Sequence, residues 1–150
     1  MNVKSKTVLA FGTFDVLHPG HITYLEQARK KGDRLAVIVA RDITVKKLRG
    51  ELPIFGERDR LRMVGALKCV DMALLGDARD HIKSVERVKP DVLCLGYDHR
   101  LTIQSLKIDL AKRNIPIPSI VRLRHYKKEK YKSSIVKSHI RNSHPLAPRS

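Results

Sequence analysis

The chain has 150 residues, room for one domain with a real core, and although 42% are apolar no stretch approaches a membrane span. Its start lacks the long apolar region of a signal peptide, so a cytoplasmic protein is expected. A formal charge of +16 points away from cationic partners and toward anions: nucleotides, phosphorylated small molecules or nucleic acid.

That charge is uneven. Between Arg122 and Arg149 nine lysines and arginines stand against one acid, Glu129. The two cysteines, Cys69 and Cys94, lie in separate apolar stretches and read as buried, reduced thiols.

In chain order, Val8-Leu9-Ala10-Phe11 is a short apolar run broken at Gly12, and residues 6–14 read as the first strand. A helix over 20–31 follows, with Ile22, Leu25 and Ala28 on one face and Lys30-Lys31-Gly32 at its end. Residues 35–40 form a continuous apolar run typical of a strand covered on both faces. Residues 43–56 include Lys46-Lys47-Leu48-Arg49-Gly50, Pro53 and Gly56, and read as a polar, basic, mobile loop. Leu61, Val64 and Leu67 or Lys68 mark one side of a helix over 57–68. Then come a strand over 72–75, a helix over 79–89 stopped by Pro90, a strand over 91–96, a helix over 101–113 and a last strand over 120–123. Ser133-Ser134 offers a cap for a closing helix from Ile135 to about Arg141. Residues 1–142 read as one domain and 143–150 as a flexible tail.

Strands alternate with helices five times. That predicts βαβ units: a single Rossmann-like α/β domain, its five-stranded parallel sheet carrying helices on both faces. Ligands of such sheets bind beyond the carboxyl ends of the strands, where strand order reverses. Gly12-Thr13-Phe14, Arg41-Asp42, Gly76-Asp77 and Gly96-Tyr97-Asp98 all fall at strand ends. The first of these turns leads into His18-Pro19-Gly20-His21 at a helix start, an arrangement whose free N–H groups and dipole favour phosphate. The two imidazoles add directed donors. No Cys, His and carboxylate group with zinc spacing accompanies them, so no protein-held metal is expected.

Gly12-Thr13-Phe14-Asp15-x-x-His18-x-Gly20-His21 resembles the signature of the nucleotidyltransferases related to cytidylyltransferases. The resemblance implies attack by a substrate phosphate oxygen on the α-phosphorus of a nucleoside triphosphate, with the protein aligning two anions and stabilising developing charge. It assigns His18 and His21 to the α- and β-phosphates. It implies that Thr13, Phe14, Pro19 and Gly20 approach the nucleotide, that Asp98 and its loop meet base and ribose, and that Tyr126 holds the nucleotide. It implies a triphosphate contact from Lys46 or Lys47, and an arginine on the 57–68 helix, Arg58 or Arg62, of which Arg58 matches better. Ser133 and Ser134 would bind phosphate at the last helix. Asp15 reads equally as a turn carboxylate or as a direct participant.

Within that family the chain resembles the archaeal FAD synthases, from residue 7 to about 140. The resemblance rests on Val39-Ala40-Arg41-Asp42-x-Thr44-Val45, on Ala66-Leu67-Lys68-x-Val70-Asp71 and on Lys89-Pro90-Asp91-Val92-x-x-Leu95-Gly96-Tyr97-Asp98. It implies transfer of AMP from ATP to FMN, with a divalent metal such as Mg2+ riding on the triphosphate. A homodimer is common among such relatives. A CTP-dependent cytidylyltransferase acting on glycerol 3-phosphate is the alternative. Those enzymes, however, carry Gly-Asp-Asp-Trp where this chain has Gly96-Tyr97-Asp98-His99, and Arg-Thr-x-Gly-x-Ser-Thr-Thr where it has Lys130-Tyr131-Lys132-Ser133-Ser134. A nucleic-acid-binding module is the alternative of another class. The charge favours it; three Phe, four Tyr and no Trp, without an aromatic sheet motif, oppose it.

Overall fold

Each apolar run sends successive side chains to opposite faces, as the two-residue period of a strand requires. In the computed structural model, which describes residues 4–124 and 132–143, these runs form one sheet. Its strands are β1 (Thr7–Gly12), β2 (Arg34–Val39), β3 (Met72–Leu75), β4 (Val92–Leu95) and β5 (Ser119–Arg122). All four pairings are parallel and the order is β3-β2-β1-β4-β5. The helices are α1 (Pro19–Arg29), α2 (Asp42–Arg49), α3 (Glu57–Gly65), α4 (Ile82–Val88), α5 (Ile103–Lys112) and α6 (Ser133–Ser143).

Val8, Ala10, Val37 and Cys94 pack on one face with Leu25 and Ala28 of α1 and Val64 of α3. Leu9, Phe11, Ile38 and Leu93 pack on the other with Ile82 and Val85 of α4 and Leu106 and Leu110 of α5. Burying each large side chain stabilises the fold by roughly 1.5–3 kcal/mol. The expected doubly covered parallel sheet is therefore the one observed. Strand order reverses between β1 and β4, so the crevice of interest opens above their carboxyl ends.

One expected element is corrected. Residues 42–49 are not loop but the helix α2, with only Val45 buried and Ile43 and Leu48 exposed. It lacks the inward apolar stripe that marks a helix in sequence. Its termini carry the signals instead: Asp42 in the first turn, Lys46, Lys47 and Arg49 in the last, and Gly50 closing it in the left-handed region at φ 82°. Other differences are at boundaries: α3 stops at Gly65 and α4 starts at Ile82, after Asp77 has accepted the N–H groups of Arg79 and Asp80. Tyr126 and residues 144–150 of the expected tail lie outside the described residues.

Candidate active site

The motif turn leaves β1 at Gly12 and bends through Phe14, whose backbone takes the left-handed φ of 54°, strained for an aromatic residue. Its ring folds back over Gly12, where a Cβ would stand 2.4 Å from it; only glycine allows this. Phe14 is thereby buried, and its ring is shut away from solvent.

Four rings then run from the core to the crevice. Tyr24 stacks on Phe14 at 6.5 Å between centroids, Phe14 meets His21 edge-on at 5.4 Å, and His21 stacks on His18 at 3.9 Å. The Tyr24 hydroxyl donates to the carbonyls of Phe11 (3.0 Å) and Cys94 (3.2 Å), bridging β1 and β4 where strand order reverses. Its burial pushes the phenol above its ordinary range. Tyr24 was not singled out from sequence, where it reads as one more residue of a helix face.

The two histidines form a reciprocal cap on α1. The backbone N–H of Gly20 donates to His18 Nδ1 (3.1 Å), and that of His18 donates to His21 Nδ1 (3.3 Å). With Nδ1 the acceptor in each ring, the neutral imidazole carries its proton on Nε2 and is a donor there. Burial, then the neighbouring His18 charge, then that of Arg49 hold His21 down to about 3. His21 is therefore an uncharged donor at neutral pH. Pro19 is exposed beside it, in the first turn of α1.

Asp15 resolves toward the turn-carboxylate reading. It is buried, accepts the N–H groups of Ile54 (2.8 Å) and Phe55 (2.9 Å), and pairs with Lys137 of α6. Burial alone would raise its pKa; the Lys137 hydrogen bond and the two backbone donors bring it below its usual value. Beside it lies a second buried charge. Arg60 is fully buried and donates to Phe55 O (2.9 Å), Thr13 O (2.8 Å) and Asp42 Oδ1 (2.8 Å). Among the arginines of α3 it is thus Arg60 that turns to the motif, while Arg58 and Arg62 are exposed. The signal was in the phase: Arg60 stands four residues before buried Val64, on the same helix face.

The remaining candidates lie on α2, in the turn after β4 and near the start of α6. Lys46 and Lys47 sit on the exposed side of α2, and Arg49 at its end is the α2 cation whose charge reaches His21. Asp98 is exposed in the turn after β4. Arg122 closes that turn by donating to Gly96 O (2.7 Å), His99 O (3.2 Å) and Leu101 O (2.7 Å). His99 lies against Phe11, and burial, then Arg122, lower its pKa. Ser134 is exposed near the start of α6, along a cleft of about 150 Å³ shared with Arg49, Lys137 and Arg141. A separate hollow of about 580 Å³ at the ends of β2 and β3 is lined by Arg41, Asp42, Glu57, Asp77, Arg79 and Lys83, away from the histidines. Its charges are largely paired with one another.

Among the described residues, no three His, Cys, Asp or Glu side chains gather in a way that would hold a metal ion. No helix among them is long and apolar enough to cross a membrane.

Comparison with known proteins agrees with this architecture. The FAD synthase of Ferroglobus placidus is 50% identical over 119 residues, 79% of this chain and 76% of the relative. The FAD synthase of Thermoplasma volcanium is 44% identical over 133 residues, 89% of this chain and 92% of the relative. A Thermoplasma volcanium crystal structure, described as a lipopolysaccharide core biosynthesis protein, superposes with a TM-score of 0.79 at 44% identity, over 83% of this chain and 100% of that one. The cytidylyltransferase-like family matches residues 9–142. That span runs from β1 into α6 and includes each described element that reaches the histidine turn: the chain belongs to the cytidylyltransferase-like family.

Proposed function

We propose that this protein is an FAD synthase acting in the cytoplasm, transferring AMP from ATP to FMN and releasing pyrophosphate. The observation that carries the reading is the name FAD synthase on archaeal relatives 44% and 50% identical over most of both chains. The site chemistry supports it. A phosphate oxygen of FMN bonds to the α-phosphorus in line, and the bond to the bridging oxygen breaks, its electron pair leaving with pyrophosphate. No protein nucleophile is required, and the structure offers donors in its place.

His18 and His21 give Nε2–H hydrogen bonds to the α- and β-phosphates. With their Nδ1 atoms held by backbone N–H groups, they need no reorganisation as charge moves onto the leaving group. The N–H groups of Thr13 and Phe14, with Pro19 and Gly20 at the α1 start, line the nucleotide's path. Asp98, on the turn tied down by Arg122, meets ribose and base, and Tyr126 holds the nucleotide from the segment beyond. Arg49 is better placed than Lys46 or Lys47 to meet the triphosphate, since its charge reaches His21. Arg58, Ser133 and Ser134 supply outer phosphate contacts. Mg2+ enters with ATP as part of the substrate and offsets triphosphate charge.

The test is pyrophosphate release with Mg2+ in a grid of ATP or CTP against FMN and glycerol 3-phosphate. Release with ATP plus FMN, with FAD appearing, is the expected result. Release with CTP and glycerol 3-phosphate would move the protein to another branch of the family. His18→Ala and His21→Ala are each expected to lower kcat by about 10²–10³-fold, the loss typical of one preorganised donor. Near-normal turnover in both would sink the mechanism.

A further inference from the structure

Helix α6 is held to the domain differently from α1, α3, α4 and α5, each of which packs apolar residues on the sheet. None of its described residues belongs to either apolar cluster. Ile135 and Val136 are half-buried and Ile140 is exposed. Among the described side chains of α6 the buried one is Lys137, at 8% exposure, and its ammonium pairs with Asp15, at 1%. Arg141 adds a looser pair with Glu51 at 3.5 Å on the rim.

A lysine is buried only when its charge is met. Here the carboxylate that meets it belongs to the motif turn, three residues before His18. The same carboxylate accepts the N–H groups of Ile54 and Phe55. Asp15 therefore joins the histidine turn, the α2–α3 connection and α6. Lys137 stands one helical turn beyond Ser133, so the start of α6 is indexed to the histidines through this contact.

We propose that Lys137 is a positioning residue: through Asp15 it holds the start of α6 against the histidine turn and thereby shapes the site for the nucleotide's phosphates. This rests on the nucleotidyl-transfer reading above. The physical reason lies in what happens without the ammonium. Asp15 would be left buried with no countercharge, and water reaches it at least cost if α6 leaves, because α6 has little apolar area to give up. The sheet and its two apolar clusters stay as they are. The loss falls on substrate binding rather than on the fold.

The experiment compares wild type, Lys137→Met, Lys137→Arg, Asp15→Asn and the double variant Asp15→Asn/Lys137→Met, all as full chains. Wild type is assayed first with ATP and FMN. Failure there would sink the functional reading, while amide exchange would still report on the α6 tie. Lys137→Met is expected to raise KM for ATP about tenfold or more with kcat within about threefold. Exchange in α6 is expected to accelerate while β1, β2 and β4 stay protected. Lys137→Arg recovers most of the KM, and the double variant is no worse than Lys137→Met, since both substitutions break one contact. Unchanged KM and unchanged α6 exchange in Lys137→Met would overturn the proposal. So would faster exchange throughout the sheet, which marks an ordinary stabilising residue. Additive losses in the double variant would overturn it too, placing Lys137 on the triphosphate itself.

Discussion

At the amino end of the sheet the strands begin in N–H groups that need acceptors, and three aspartates supply them. Asp33 accepts from Lys6 N (2.7 Å), Asp71 from Leu35 N (2.7 Å) and Asp91 from Thr7 N (2.9 Å). Each stands just before one strand and serves the beginning of its neighbour. At the carboxyl end the strands and the turns beyond them present carbonyls, and long cations supply the donors. Arg41 reaches Gly76 O (2.9 Å), Arg60 reaches Thr13 O and Phe55 O, and Arg122 reaches three carbonyls of the 96–101 turn. A parallel sheet imposes this polarity, because every strand starts at one edge and ends at the other. The chain turns it to use: satisfying the carbonyl edge with arginines places positive charge at the end where phosphates would bind.

The contrast can be broken most severely at Arg60. Arg60→Leu leaves Asp42 and two backbone carbonyls without their buried donor, and a loss of about 3–5 kcal/mol is expected in urea unfolding, as when one partner of a buried pair is removed. A loss below about 1 kcal/mol would mean that water takes over at the carboxyl end and that its cations are dispensable to the fold.

The next test uses pH. His21 has a folded pKa of about 3 against an ordinary 6.5. As pH falls, the unfolded chain takes up the proton first, so stability tied to His21 is complete above about pH 6.5 and drains as pH drops toward 3. The slope is up to about 1.4 kcal/mol per pH unit, which gives a loss of about 2 kcal/mol between pH 7 and pH 5. Urea midpoints at the two pH values measure it, and His21→Asn is expected to abolish most of the difference. An equal acid loss in the variant would place the sensitivity elsewhere.

The smallest effect belongs to the amino end. Asp71→Ala removes the acceptor for Leu35 N and a half-exposed pair with Arg29 (3.2 Å), and is expected to cost about 1 kcal/mol with kcat unchanged. A change in kcat there would show that the two ends of the sheet are coupled.

Much of this was legible in advance. The strands were visible because contiguous apolar runs report burial on both faces, and the histidine turn because its ten-residue spacing is unbroken. α2 was missed since only Val45 of its eight residues is buried, yet Asp42, Arg49 and Gly50 marked its ends. Arg60 was passed over because the family resemblance pointed to Arg58; the i, i+4 relation of Arg60 to Val64 marks it as the arginine on the buried face. The sheet order, the Tyr24 bridge between β1 and β4 and the Asp15–Lys137 pair had no local sign.

By itself the sequence determined the alternation of strands and helices, the glycine-bearing turn and the pair of imidazoles at a helix start. These are set by spacing among neighbours, and spacing is what a sequence displays. Only the tertiary structure decided which buried charges meet. Lys137 and Asp15 lie near opposite ends of the chain, and a lysine is driven to the surface unless a distant carboxylate arrives to neutralise it. That arrival depends on the packing of the whole sheet, which brings the last helix back to the first turn.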